Sequence, residues 1–593
     1  MNLIYDPWIP VRRADGSRET IAPWQITEGI ASNPIVAVAS PRPDFDGALT
    51  QFLIGLLQTT CAPESVTAWR QWRQEPPTPE TLYERFAVVN SAFEFGGEGA
   101  SFMQDLTLGP ADFQKKTKRP KTPLPDDEEE EGLTPIASLL IEAPGNITKN
   151  ENRDHFIKRG VVAGLCPHCA AAALFTLQTN SPGRGSGYRT SIRGGGPLTT
   201  ILVHDGDTGA AGTLWNICWL NILGVSDWLS GKSGNPERRL LSDRFPWLAH
   251  TRTSETEGGV STPDDIHPDQ QYWAMPQRIR LAAAKPASNE HCDLCGATGL
   301  PLYRHYYVKK FGANYKGDFR HPLSPYDLVE GHPRAVLTEP GGIGYRHWLG
   351  LIENEPGTTR QRAAVIERFL RESPPRRREA WVWAFGFDIY NSNKVRSWTD
   401  ARLPVFDLPQ EICELFVPIV KNMVVVSNRV CGLTLRAVLR ASFFKPKGKK
   451  LKRSKAGNSY TEIVWICPKP LKKLNKPEEN MDEAVLKEQR VLLYSARSAF
   501  WDSTEQTFIE AMRAIKDALV NADREAENKV LEEWLRHLRL EAHQCLESFS
   551  ASGDFDGADP RRLALAEYEL NGGLSSSLLR SQLGLPQPAR NTP

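Results

Sequence analysis

Cys166-Pro-His-Cys169 and Cys292-Asp-Leu-Cys295 form two Cys-x-x-Cys pairs, with residues 170–291 between them. Two sulfurs on one tight knuckle can face the same ion, and two such knuckles complete the tetrahedral thiolate set that zinc favours. Ligands this far apart in sequence would clip distant parts of one domain together, so any fold for this chain must bring them to one point. With all four ligands cysteine, no open position is left for a bound water, and the expected Zn2+ is structural. His168 and His291 stand beside the pairs and are read as bystanders. A redox role would require a thioredoxin-like setting, which is absent.

Closely after the first pair comes SPGRGSGYRTSIRGGGPLTT, Ser181 to Thr200, with six glycines, three arginines and no acid. Glycine lets backbone approach a ligand without an intervening Cβ, and arginines with free N–H groups match phosphates and groove edges. The expected ligand is a nucleic acid. Global charge neither supports nor excludes this: Lys+Arg 72 against Asp+Glu 71 leaves +1, so attraction to a polyanion must come from local patches.

A chain of 593 residues exceeds a single core and predicts two domains. Ten thinly spread cysteines and an opening MNLIYDPWIPVRR without a basic-then-apolar leader point to a reducing, cytoplasmic setting. Apolar runs such as VVAGLC and LFVPIV are interrupted well short of the ~20 residues that span a bilayer, so no membrane partner is expected.

The fold class expected is α+β: a large irregular N-terminal α+β domain over 1–405 with the structural zinc site, then a C-terminal four-helix bundle over 406–593. At the start, a strand from Leu3 to Trp8 and Ile9 and a turn at Asp15-Gly16 predict a hairpin. Leu49, Phe52, Leu53, Leu56 and Leu57 predict a helix with one buried face. Residues 110–132 contain KKTKRPKTPLPDDEEEE, which cannot bury apolar surface and is expected to be a disordered surface insertion. The polar segment 146–160 is read as an adaptable loop. Bundle helices are expected over Ile412–Phe444, Glu483–Asn521, Glu525–Phe549 and Pro560–Leu583, the last interrupted at Gly572-Gly573. Between the first two lies KPKGKKLKRSK, residues 445–455, with seven basic residues in eleven. It is read as a solvated loop, with Lys449, Lys450, Lys452 and Arg453 as candidates for tracking a phosphate backbone.

No Walker loop, His-Glu-x-x-His or Gly-x-Ser-x-Gly elbow occurs. The pairs Asp264/Asp265 and Asp554/Asp556 sit in turn-like sequence and are read as turns or helix caps. The chain therefore reads as a binder rather than a catalyst. The alternative is a metal-dependent nuclease or other nucleic-acid-modifying enzyme, with acids beside the glycine-rich stretch holding Mg2+.

Taken in order, MNLIYDPWIPVR, SFMQDL at 101–106, Cys166-x-x-Cys169 followed by ALFTLQTNSPGRGSGYRTSIRGGGPLTT, Cys292-x-x-Cys295 with YRHYYVKKF, and a terminal helical region resemble the CasA family. These are the large subunits of the type I-E CRISPR Cascade complex. The resemblance spans nearly the whole chain. It implies a non-catalytic subunit of an antiviral surveillance complex that reads the protospacer-adjacent motif (PAM) of duplex DNA from the minor groove. It also implies help in opening the duplex for R-loop formation and recruitment of the system's helicase-nuclease. The implied partners are the backbone, small and 5′-handle-binding Cascade subunits, CRISPR RNA and target double-stranded DNA.

Carried over by position, the family's glycine loop falls on Gly183, Arg184, Gly185, Ser186 and Gly187, with Ser186 a departure toward a polar side chain. The lysine finger falls on Lys310, with Lys309 beside it. The family's duplex-splitting wedge falls within GFDIYNSNKVRSW, where its glutamine is not evident and Asn391, Asn393 or Lys394 stands at the tip. The loop touching the RNA 5′ handle and DNA corresponds to the region of Asn152, Arg153, Phe156, Lys158 and Arg159. The second glycine cluster, Gly194 to Gly196, is read as structural.

Overall fold

The computed structural model describes all residues except 110–132, 144–159, 184, 205–211, 231–233, 257–258, 287–289, 339–341, 355–356, 373–379, 391–393, 407, 454–458, 467–479, 552–559 and 588–593. The chain divides into two compact units, one built from 1–339 and 350–406, the other from 340–349 and 407–593.

In the first unit β1 (Ile9–Arg13) pairs antiparallel with β2 (Arg18–Ile21) and β3 (Ile35–Val38). The hairpin turn falls at Asp15-Gly16 as expected, with Gly16 at φ +87°. The strand begins later than Leu3, however: the Trp8 indole donates to Leu3 O at 2.8 Å, folding residues 2–6 into a turn. Next, α1 (Pro43–Cys61) carries the expected apolar residues, but it is buried nearly all round rather than on one face. Its small residues explain this. A Cβ on Gly47 would lie 2.7 Å from the Phe385 ring and one on Gly55 3.0 Å from Tyr272, so neighbours press directly on its backbone. Phe52 of α1 is the hub of an edge-to-face aromatic core with Trp8, Phe93, Phe102, Phe175 and Trp273 at 5.1–5.8 Å, contacts that add to area burial.

Helix α2 (Pro167–Asn180) packs on α1. Then come β4 (Thr199–His204), β5 (Arg278–Leu281), β6 (His305–Lys309), β7 (Ala380–Tyr390) and β8 (Lys394–Val405). They make two antiparallel sheets, one ordered β8-β7-β4 and one in which β6 lies between β5 and the short strand Thr134–Pro135. This unit is mixed α+β.

The second unit contains α4 (Gln410–Phe443), which follows the short α3 (Ala364–Glu372) of the first unit. The strands β9 (Lys445–Arg453) and β10 (Ser459–Ile466) come next, then α5 (Asn480–Val520), α6 (Arg524–Ala551), α7 (Pro560–Leu574) and α8 (Ser577–Gln582). Helix α4 packs against α5, α6 and α7. It is the one helix among the described residues long and apolar enough to cross a membrane, with a mean hydropathy of 1.2 over an 18-residue window that is 50% buried within the protein. The last interruption falls after Leu574 rather than at Gly572-Gly573, which are helical; a Cβ on Gly573 would meet Leu433 of α4 at 2.9 Å, so glycine here lets the two helices pack closely. Residues 445–453 are not a loop but a strand. They pair with β10 in register Lys450↔Glu462, and Ile463 is buried while the Trp465 indole donates to Glu569 at 2.9 Å. The apolar partner strand thus imposes pairing on a lysine-rich segment of low intrinsic β-propensity.

Candidate nucleic-acid interface and cysteine centre

Four cysteines meet as their spacing requires. Cys166 precedes the first turn of α2, and the 292–295 knuckle closes through Cys292 N to Ala297 O at 2.9 Å and Gly296 N to Cys292 O at 2.8 Å. The ligand atoms of Cys166, Cys169, Cys292 and Cys295 lie within 4.8 Å of one another, and Cys166 Sγ is 3.7 Å from Cys295 Sγ. Zn–S bonds of about 2.3 Å at tetrahedral angles place sulfurs about 3.8 Å apart, so this donor set fits one such ion. None of the four is in a disulfide. Contact with Cys166 pushes the Cys169 thiol up and the Cys292 thiol down. Among the described residues this is the only group of three or more Cys, His, Asp or Glu with converging ligand atoms. His168 and His291 are outside it.

The sequence reading missed Asp293. Its carboxylate accepts from Ala163 N and Gly164 N, both at 2.7 Å, while Asp293 N donates to Gly164 O at 3.1 Å. One knuckle therefore staples the segment leading into the other. Its position inside Cys-x-x-Cys was the available signal, since a carboxylate there can reach backbone N–H groups.

The cysteine cluster lies at the near ends of two elements whose far ends also meet. Helix α2 runs from Cys166 to Asn180 and delivers Ser181 onward; the chain from Cys295 pairs Tyr303 with Leu165 and continues through β6 to Lys310. At those ends Phe311 N donates to Gly187 O at 2.7 Å. The Lys310 stem lies along Gly187, where a Cβ would come within 3.0 Å of Lys310 Cδ and 3.2 Å of its Cβ. Gly187 has φ +88° and Gly185 φ +113°, conformations that disfavour a side chain. The Lys310 side chain is exposed and its ammonium stands 5.9 Å from the Tyr188 ring centroid. Gly185 and Ser186 are exposed, Gly183 and Lys309 half-buried, and Lys309 ends β6 opposite Arg278.

The base of this segment is held from below. Arg193 is 5% exposed and donates to Thr199 Oγ1 at 3.0 Å, Ser324 Oγ at 3.2 Å and Gln51 Oε1 at 2.8 Å. Burial pushes it down to about 10. Of the three arginines that suggested a polyanion site, this one faces the core. A Cβ on Gly196 would lie 2.4 Å from Ile389 Cδ1, next to the β7–β8 hairpin.

Other expected site residues are less informative. Arg184, Asn391, Asn393, Asn152, Arg153, Phe156, Lys158 and Arg159 lie outside the described residues, as do residues 110–132. Lys394 opens β8 opposite Tyr390. Lys449, Lys450, Lys452 and Arg453 are in β9, in the other unit from the glycine segment, and Lys450 is exposed. Asp265 is a helix cap, accepting from Thr262 N at 2.9 Å, while Asp554 and Asp556 lie outside the described residues.

The fold is shared with solved proteins. The chain is 16% identical to the Thermus thermophilus CasA (Cse1) structure, covering 97% of this chain and 99% of that one at TM-score 0.61. For Cse1 from Acidimicrobium ferrooxidans the values are 15%, 98%, 99% and 0.60. A chain from a structure described as a CRISPR RNA-guided surveillance complex gives 12%, 93%, 99% and 0.52. The sequence profile described as CRISPR-associated protein Cse1 matches residues 2–545, and this chain therefore belongs to the CRISPR-associated Cse1 family.

Proposed function

We propose that this chain is the non-catalytic large subunit of a type I-E CRISPR RNA-guided surveillance complex, reading a PAM in duplex DNA through Gly183–Gly187 and Lys310. The observation that carries this reading is the Gly187–Lys310 contact: an exposed lysine lies along a segment of glycines with left-handed backbone. Backbone without side chains fits the floor of a ~6 Å minor groove, and an ammonium there meets the N3 and O2 acceptors, a degenerate code that sorts base pairs only in part. Guide RNA pairing then carries most sequence specificity.

In this reading the β7–β8 hairpin, whose Phe387 and Ile389 border Gly196, acts on the opened base pairs. Unstacking costs roughly a few kcal/mol per step. The exposed Lys445, Lys447 and Lys450 of β9 add sequence-independent phosphate attraction. The cysteine centre holds structural zinc, whose bonds would fix the two knuckles without touching DNA. The partners follow from the same reading: the other Cascade subunits, CRISPR RNA, target duplex and the system's helicase-nuclease.

The test is binding by the assembled complex to duplexes with and without the motif. Lys310→Ala and Gly185→Asp are each expected to weaken binding of motif-bearing duplex by about tenfold or more. Wild-type affinity in both variants would remove these residues from the site.

A further inference from the structure

Lys310 is exposed, and a free lysine stem has several rotatable bonds, so a reader built on it needs its backbone fixed. The turn that carries it is unusually constrained. Phe311 has φ +62°, in the left-handed region that a bulky residue rarely adopts. A Cβ on the following Gly312 would lie 2.0 Å from Pro276 O, so the chain has no alternative residue there without moving. Phe311 is also 39% exposed, so it is not held in that conformation by core burial.

Its restraints are the Phe311 N bond to Gly187 O, the bonds from Ser254 and, through Ser254 and the ring of Phe311, the side chain of Arg189, two residues beyond Gly187. Arg189 Nε donates to Ser254 Oγ at 2.7 Å, and Ser254 Oγ donates to Gly312 O at 2.8 Å. Ser254 N donates to Phe311 O at 3.0 Å, and the Arg189 guanidinium lies 5.8 Å from the Phe311 ring centroid. The Arg189 carbonyl is itself fixed by Ser181 Oγ at 3.0 Å and by the Gln277 amide. One side chain therefore spans the glycine segment, Ser254 and the turn 310–312. None of its hydrogen-bond partners among the described residues is a carboxylate.

We propose that Arg189, acting through Ser254 and the Phe311 ring, is the positioning residue of the Lys310 tip and so sets the sharpness of motif discrimination. This rests on the proposed reading role of Lys310. A planar guanidinium donates in its plane while its face covers a ring, a combination an ammonium does not reproduce. The requirement is thus for arginine geometry and not for positive charge alone.

In the assembled complex, dissociation constants are measured for motif-bearing and motif-less duplexes over a range of salt concentrations. Arg189→Ala is expected to lower the ratio of the two affinities about tenfold, with motif-less binding and its salt slope unchanged. Arg189→Lys is expected to behave like Arg189→Ala, Ser254→Ala to lower the ratio in the same direction, and Arg189→Ala/Lys310→Ala to lose no more discrimination than Lys310→Ala. Equal losses on both duplexes with a shallower salt slope would make Arg189 a phosphate contact and overturn the proposal. Full discrimination in Arg189→Lys, or additive losses in the double variant, would also overturn it. Lys310→Ala with undiminished discrimination would overturn the reading on which it rests, whereas an effect of Lys310→Ala without one of Arg189→Ala overturns this inference alone. Thermal unfolding of each variant verifies the fold, and Ser254→Ala keeps the test open if Arg189→Ala does not fold.

Discussion

At the residue scale, neighbouring glycines of one segment have different reasons to be glycine. Gly185 has φ +113° with nothing within 4 Å of a built Cβ, whereas Gly196 has φ +70° and a Cβ there would collide with Ile389 and approach Phe387 O at 3.1 Å. Gly185→Ala is therefore expected to cost only about 1 kcal/mol of backbone strain while weakening motif-bearing duplex binding. Gly196→Ala should cost about 3 kcal/mol through strain and overpacking and leave binding per folded complex unchanged. Chemical denaturation and duplex titration of the two variants separate the roles, and equal stability losses would contradict them. The same contrast applies to arginines. Arg193 satisfies Gln51, Thr199 and Ser324 in the core, whereas Arg189 restrains an exposed turn.

At the element scale, α2 and β6 matter because their starts are clipped and their ends converge. A thiolate-bound ion would tie these elements across a long stretch of chain, and such binding free energy is folding free energy. Purified chain is expected to contain about one zinc ion by elemental analysis. Cys166→Ser should abolish that content and lower the thermal midpoint of the first unit by several degrees; a metal-replete Cys166→Ser variant would exclude the cluster as the binding site. The cysteines were legible because a four-sulfur site demands its own spacing. The staple by Asp293 was not, since it depends on where Ala163 and Gly164 pass. Strand β9 was illegible for the opposite reason: its own lysines favour solvent, and pairing is imposed by Ile463 and Trp465 on the partner strand.

At the scale of the whole molecule, the division into units is not a single cut in the sequence. Residues 340–349 leave the first unit's chain segment and join the helices, placing Tyr345 4.1 Å from Phe508 in a stack and within 5.0 Å of Trp501, with its hydroxyl 3.0 Å from Thr504. Tyr345 is 1% exposed. Tyr345→Ala should destabilise the helical unit by about 4 kcal/mol. Calorimetry of this variant is expected to show a lowered transition for that unit with the other unchanged, and an unaltered thermogram would sink this assignment.

Local chemistry alone determined much about this protein: four cysteines bound for one point, long amphipathic helices after residue 406, and glycines where backbone must stay bare. Periodicity and ligand spacing are short-range properties, so they survive in a linear reading. Tertiary structure alone decided that α1 is enclosed on nearly every side, that Tyr345 belongs with the helices and that a lysine-rich stretch is a strand. It also decided that Arg189 reaches Ser254 beside the Lys310 turn. Each of these depends on which surfaces meet after the chain has folded back on itself, and no residue carries that information in its own neighbourhood.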